Sequence, residues 1–152
     1  MNKFTTFLSK IASALNIEIG HYDDGNQVIG SWEAISYEEK LFENGKLVNE
    51  DILMYGRDSY FEMVFKVNNR FVQVEKYKSS SQNTIEKSSR TGTFSIKDDQ
   101  IILVYGTVSE GGNTVTLNYS ISKNELITIN DYSQQDLDDV FRHVSKRVFL
   151  KI

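Results

Sequence analysis

The sequence contains neither cysteine nor proline, and histidine occurs only twice in its 152 residues. Disulfides, thiolate metal sites and a cysteine nucleophile are therefore excluded. Turns must be shaped by glycine, asparagine and aspartate instead of proline. Because neither histidine stands at a metal-ligand spacing, we expect no bound metal, and no motif indicates a cofactor.

Excess positive charge and long apolar runs are also missing. The formal net charge is −4, whereas nucleic-acid binding requires a basic face. No apolar run approaches the roughly 20 residues of a membrane-spanning helix. The sequence has no phosphate loop, nucleophile elbow or dinucleotide-binding glycine pattern. We therefore expect a protein that is not an enzyme, binds no nucleic acid and does not span a membrane.

Aromatic residues are abundant, with nine phenylalanines and eight tyrosines, and this composition favours strands over helices. Short apolar segments alternate with turn signals at Asn44-Gly45, Asn68-Asn69, Asp98-Asp99 and Lys123-Asn124. Asparagine and glycine at these positions tolerate the positive φ of tight hairpins. The segment Thr114–Ile121 alternates polar and apolar residues most clearly, as a half-buried antiparallel strand does. The chain therefore predicts a single all-β domain.

Two segments have helical features instead. Apolar side chains share one helical face at Phe4, Phe7, Leu8, Ile11, Ala12 and Leu15. We expect this amphipathic helix and a connection to occupy residues 1–27, and the β-domain to occupy 28–152. The helix could cap one end of the β-domain, bind a protein partner or lie on a membrane, for which its two lysines are few. A second, short helix is predicted between Ser133 and Arg142, with Ser133 as its N-cap.

Polar residues interrupt the apolar N-terminal segment at Thr5, Thr6, Ser9 and Lys10. A secretory signal peptide has a continuous apolar core. The segment is therefore better explained as a helix than as a signal, and a cytoplasmic location is favoured over a secreted one.

The motif Gly30-Ser31-Trp32 opens the first strand, and Thr91-Gly92-Thr93-Phe94 stands in a later one. Together they resemble the lipocalins and, more closely, the bacterial lipocalin-like domains of the calycin type. The resemblance implies an antiparallel, up-and-down, eight-stranded barrel that binds a small molecule. It also implies that Gly30 and Trp32 lie at the closed end, with Trp32 beneath a basic residue of the last strand. That residue is expected to be Lys146 or Arg147.

The alternation places several large side chains inside such a barrel: Phe61, Met63, Phe65, Leu103, Tyr105, Leu117 and Tyr119. An eight-stranded barrel either fills its interior or holds one small ligand, and so many large aromatic residues slightly favour a filled or narrow interior. The leading hypothesis is non-catalytic binding of a small apolar or amphipathic molecule by these seven residues. The polar segment 78–90, a long loop or a hairpin tip, would then be an entrance flap. The alternative is a protein-interaction module of the antagonist or immunity type, with a filled barrel and a partner bound through the N-terminal helix or the outer face.

Overall fold

The computed structural model describes residues 27–79, 81, 83–106 and 112–152. The predicted N-terminal helix therefore lies outside the described residues. The described chain forms nine β-strands, and no helix is found within it: β1 (Gly30–Glu43), β2 (Lys46–Met54), β3 (Ser59–Phe65), β4 (Arg70–Lys78), β5 (Ile85–Lys97), β6 (Gln100–Tyr105), β7 (Thr114–Ser122), β8 (Glu125–Asp136) and β9 (Asp139–Lys151).

Eight of these strands close into an antiparallel barrel. From β3 to β9 each strand pairs with the next one along the chain, and β1 pairs with both β3 and β9. Strand β2 stands outside this ring and pairs with the second half of β1, from Ser36 to Glu43. The predicted all-β, closed, eight-stranded antiparallel barrel is thus confirmed.

Four of the predicted turns lie where their residue types placed them. Each contains a residue with positive φ: Asn44 (49°), Asn69 (60°), Asp98 (53°) and Lys123 (54°). Asparagine and aspartate adopt this region more readily than most residues. The residue types therefore account for the turns of the hairpins β1–β2, β3–β4 and β5–β6, whereas at β7–β8 the positive φ falls on Lys123 and not on Asn124.

The predicted helix between Ser133 and Arg142 is wrong, because these residues form the tip of the β8–β9 hairpin. Gln134 pairs with Phe141 and Asp136 pairs with Asp139, leaving a two-residue turn. The same part of β9 also pairs with β1, where Arg142 lies opposite Phe42. Pairing on both edges gives the backbone of β9 more partners than a short isolated helix would offer. Tertiary contacts thus override the local helix signals.

The polar segment 78–90 is largely a hairpin and not a loop. Strand β4 continues to Lys78 and β5 begins at Ile85, so that Tyr77 pairs with Glu86 and Lys76 with Lys87. The hydroxyl of Tyr77 donates a hydrogen bond to Glu86 Oε2 at 2.5 Å. Of the two alternatives, the structure has the hairpin tip.

The hydrophobic core fills the end of the barrel where β1 begins. Its fully buried side chains include Val28, Trp32, Phe71, Ile101 and Leu126. Phe65 and Phe94 meet edge to face there, with ring centroids 5.0 Å apart. Because inward side chains are this large, the closed end is packed solid. The space that remains lies further along the barrel.

Candidate functional site: a polar-rimmed cavity in the barrel

A cavity of about 240 Å³ lies inside the barrel beyond the packed end. Six of the seven predicted interior residues line it: Phe61, Met63, Phe65, Leu103, Tyr105 and Leu117. Val115, Leu126 and Phe149 complete its apolar wall. The seventh, Tyr119, is buried in the hydrophobic core and is not among the lining residues. The interior of the described barrel is therefore not completely filled.

The cavity also has a polar side, to which Arg147 contributes the only basic side chain among its lining residues. Its guanidinium carbon lies 3.9 Å from the ring centroid of Phe61 and 4.7 Å from that of Tyr37. Its Nε donates a hydrogen bond to the hydroxyl of Tyr55 at 3.2 Å. Aromatic faces attract a guanidinium and hold it in a defined orientation. Arg147 is thus positioned by three aromatic side chains.

Among the residues that the structure describes, no carboxylate lies within ion-pair distance of Arg147. The ion pairs formed within the described residues involve Lys40, Lys78 and Arg142, and none includes Arg147. Glu75 is the acidic residue that lines the cavity, yet its carboxylate oxygens lie more than 4.0 Å from the guanidinium nitrogens of Arg147, too far for an ion pair. A half-buried cation of this kind favours an anion as its neighbour.

A β-bulge brings Tyr37 to Arg147. The register between β1 and β9 shifts between Ala34 and Ser36, so that Ala34 pairs with Phe149 and Tyr37 with Arg147. Bulges commonly redirect a side chain in this way. Without the extra residue, strict alternation from Ala34 would point Ser36 inward in place of Tyr37. Tyr37 could therefore not be identified from the alternation.

A chain of hydrogen bonds lines another part of the cavity. The hydroxyl of Tyr105 donates to Gln73 Oε1 at 2.7 Å, and Gln73 Nε2 donates to Glu75 Oε1 at 2.7 Å. Burial raises the pKa of Tyr105, while the positive charges of Arg90 and Arg147 act in the opposite direction. The phenol therefore stays protonated at neutral pH and can donate. Burial and the neighbouring Glu39 carboxylate also raise the pKa of Tyr37.

Sequence reasoning missed Gln73 and Glu75, although their spacing from Phe71 in β4 places them on the same strand face. Phe71 is buried in the core and shares its strand face with Gln73 and Glu75. Val72 and Val74, which alternate with them, place apolar residues on the opposite face. Because a cavity-lining strand can turn polar side chains inward, hydrophobicity by itself does not determine which face of β4 points into the barrel.

The closed end contains Trp32, whose partner differs from the expectation. Lys151 lies over the indole ring, with its Nζ 5.2 Å from the ring centroid. Neither Lys146 nor Arg147 occupies that position, since Lys146 pairs with Glu38 and Arg147 lines the cavity. The physical reason is the register, in which Trp32 pairs with Lys151. The indole Nε1 also donates to the carbonyl of Val28 at 2.8 Å.

Gly30 allows the lysine to cross the closed end. Its φ of 132° is one that residues with a side chain rarely adopt. A Cβ at Gly30 would also lie 2.9 Å from Lys151 Cε. Glycine at this position thus serves both the backbone turn into β1 and the path of Lys151 to Trp32.

The cavity combines an apolar wall with a few polar side chains. An apolar wall favours the burial of hydrocarbon, and the side chains of Arg147, Tyr105 and Gln73 provide polar contacts in fixed positions. Across the described ranges, no group of three acidic or histidine side chains could hold a metal ion. A helix able to span a membrane is likewise not found among these residues.

Comparison with known proteins leaves the family open: no protein-family model matches the sequence, and no curated protein matches it either.

Proposed function

We propose that this protein binds one small amphipathic molecule inside its barrel, without catalysis, and that an acidic group of the ligand contacts Arg147. The observation that carries the proposal is the position of Arg147, held by aromatic rings beside an apolar cavity and without an ion-pair partner in the described chain. The closed eight-stranded barrel that opens with Gly30-Ser31-Trp32 supports classing the chain with the bacterial lipocalin-like domains.

The proposed ligand follows from the two sides of the cavity. A guanidinium can donate two parallel hydrogen bonds to a carboxylate, and such charge-assisted bonds are stronger than neutral ones. The apolar wall, with Met63, Leu103 and Leu117, favours a hydrocarbon part. The cavity of about 240 Å³ is smaller than the roughly 300–1,000 Å³ of most small-molecule pockets. The part of the ligand inside the barrel is therefore about the size of a small organic acid.

The binding experiment compares probes of one length with different head groups. Octanoate, octanol and octylamine are titrated into the full chain by isothermal calorimetry. We expect octanoate to bind roughly tenfold to a hundredfold more tightly than octanol, because hydrogen bonds to a charged group add about 1.5–3 kcal/mol. Octylamine should bind more weakly than octanoate, since Arg147 repels a cation.

The matched variants are Arg147→Met and Lys146→Met. Both remove one positive charge from β9, but Lys146 pairs with Ile129 on the outer face of the sheet. Arg147→Met should abolish the preference for octanoate over octanol, and Lys146→Met should retain it. The proposal is wrong if octanoate does not bind at millimolar concentration, or if Arg147→Met keeps the preference.

One observation favours the alternative function, a protein-interaction module. Every residue of β2 is exposed, and its large apolar side chains include Leu47, Val48, Ile52 and Met54. An exposed apolar edge strand can pair with a strand of another chain. If this is the function, Ile52→Lys should abolish the association of this protein with another chain, which light scattering measures. The same variant should leave the affinity for octanoate unaltered.

A further inference from the structure

Two apolar side chains on the outer surface of the barrel are buried. Leu126, Thr128 and Asn130 of β8 line the interior cavity, so the intervening Ile127 and Ile129 point outward. Nevertheless, Ile127 is only 5% exposed and Ile129 only 2% exposed. A strand buried on both faces is typical of a sheet that has a second layer over it.

The described residues do not supply that layer. Ile127 and Ile129 form a small cluster with Val144 and Val148, and these four side chains all belong to the paired strands β8 and β9. We call these four residues the outer stripe. On β5, by contrast, Thr93 and Ser95 alternate with the buried Phe94 and are exposed.

We propose that residues 1–16 of the same chain cover the outer stripe with their apolar face. Their sequence repeats apolar residues at helical spacing, at Phe4, Phe7, Leu8, Ile11, Ala12 and Leu15. A helix from Phe4 to Leu15 would be about 18 Å long. It can therefore cover two neighbouring strands, which lie about 4.8 Å apart.

The path of the chain permits this arrangement. Strand β1 begins at Gly30, beside Lys151 at the end of β9, and the stripe begins a few residues along β9 at Val148. The ten residues 17–26 can span at most about 33–36 Å, which is more than the distance across two strands. The segment 107–111 starts beyond Tyr105, at the opposite end of the barrel from Gly30, and contains only one large apolar residue, Val108. The N-terminal segment is therefore the better occupant.

This inference changes the role of the N-terminal segment. It would be a structural layer on the barrel wall, and would neither cap the cavity nor project towards a partner. The inference is independent of the proposed ligand, because the outer stripe and the cavity lie on opposite faces of β8.

The absence of cysteine in the natural chain makes a thiol-protection experiment clean. The experiment introduces Ile129→Cys into the full chain and measures the rate at which this thiol reacts with a thiol reagent. A slow reaction shows that the outer stripe is covered. Adding Phe7→Asp and Ile11→Asp should accelerate the reaction by at least about tenfold, because the cover would open. The control pair Thr6→Asp and Ser13→Asp adds the same charge to the opposite helical face and should leave the rate nearly unchanged. Equal effects of the two pairs would overturn the proposal.

A disulfide experiment tests the same contact without the aspartate substitutions, so its result does not depend on whether those variants unfold. Leu8→Cys with Val144→Cys should form an intramolecular disulfide on mild oxidation. Leu8→Cys with Val74→Cys, on the outer face of β4, should not form one. A disulfide between two chains would show that a second copy covers the stripe, and no disulfide at Val144 would also refute the proposal.

Discussion

Lys151 covers the indole ring of Trp32, with 5.2 Å between Nζ and the ring centroid, and the two residues are paired between β1 and β9. This contact joins the first and last strands at the closed end of the barrel. The lysine is exposed while the indole is fully buried. The pair therefore separates the hydrophobic core from solvent.

The first prediction concerns this pair. Lys151→Met should lower the free energy of unfolding by about 0.5–1 kcal/mol, the usual contribution of an exposed cation–π contact. Lys151→Arg should preserve it, because a guanidinium also stacks on an indole. Urea denaturation measures both, with Lys97→Met at an exposed strand end as the control. An equal loss in the control would show that charge in general, and not the contact with Trp32, is responsible.

Gly92 is predicted to tolerate no side chain. A Cβ there would lie 2.0 Å from the carbonyl oxygen of Val104 and 2.8 Å from Phe71 Cε1. Because a backbone atom cannot move aside cheaply, Gly92→Ala should destabilise the protein by about 1–3 kcal/mol or more. Gly56→Ala, where nothing lies within 4 Å of a Cβ, should change stability by less than about 0.5 kcal/mol. Thermal unfolding of the two variants tests the contrast.

Leu137 should be replaceable with a gain in stability. It has a φ of 54° in the β8–β9 turn, and its side chain is 89% exposed. A left-handed conformation costs a residue with a side chain about 1–2 kcal/mol, and glycine avoids that cost. Leu137→Gly should therefore raise the free energy of unfolding by about 0.5–1 kcal/mol. Asp138→Gly, at the neighbouring turn position without positive φ, should give no such gain in the same denaturation assay.

The raised pKa of Tyr105 predicts that the free energy of unfolding depends on pH in alkaline solution. Because burial raises its pKa in the folded protein, the unfolded chain loses the phenol proton first, at about pH 10. Its contribution to stability is thus complete below about pH 10 and is lost as pH rises towards the folded-state pKa. The difference in unfolding free energy between the natural protein and Tyr105→Phe should shrink above about pH 10. Between about pH 7 and pH 9 the difference should stay constant, and a change in that range would contradict the assignment.

Most of the barrel could be predicted because strands and tight turns leave local signals. Phe61, Met63 and Phe65 alternate with polar or smaller residues, and all three are buried as that alternation requires. The β8–β9 hairpin tip could not be predicted in this way. Its own residues resemble a capped helix, and the deciding contacts come from β1, about 100 positions earlier in the sequence.

Only part of the candidate site could be predicted from local signals in the same way. The apolar wall of the cavity followed from alternation, since Leu103 and Leu117 face inward in regular strands. The polar contacts at Arg147 did not, because they depend on the bulge in β1 and on Tyr55, which lies between β2 and β3. That these residues bind a ligand stays a prediction for the octanoate experiment.

The sequence by itself determined the all-β class, the positions of four hairpin turns and the apolar interior, because alternation and positive-φ turns are properties of neighbouring residues. Only the tertiary structure decided which basic residue lies over Trp32, which polar side chains line the cavity and how large the cavity is. These three outcomes depend on strand register and on the volumes of side chains from distant strands. Register is set when β1 pairs with β9 at the closure of the barrel, so a one-residue bulge at that junction determines whether Tyr37 or Ser36 meets Arg147.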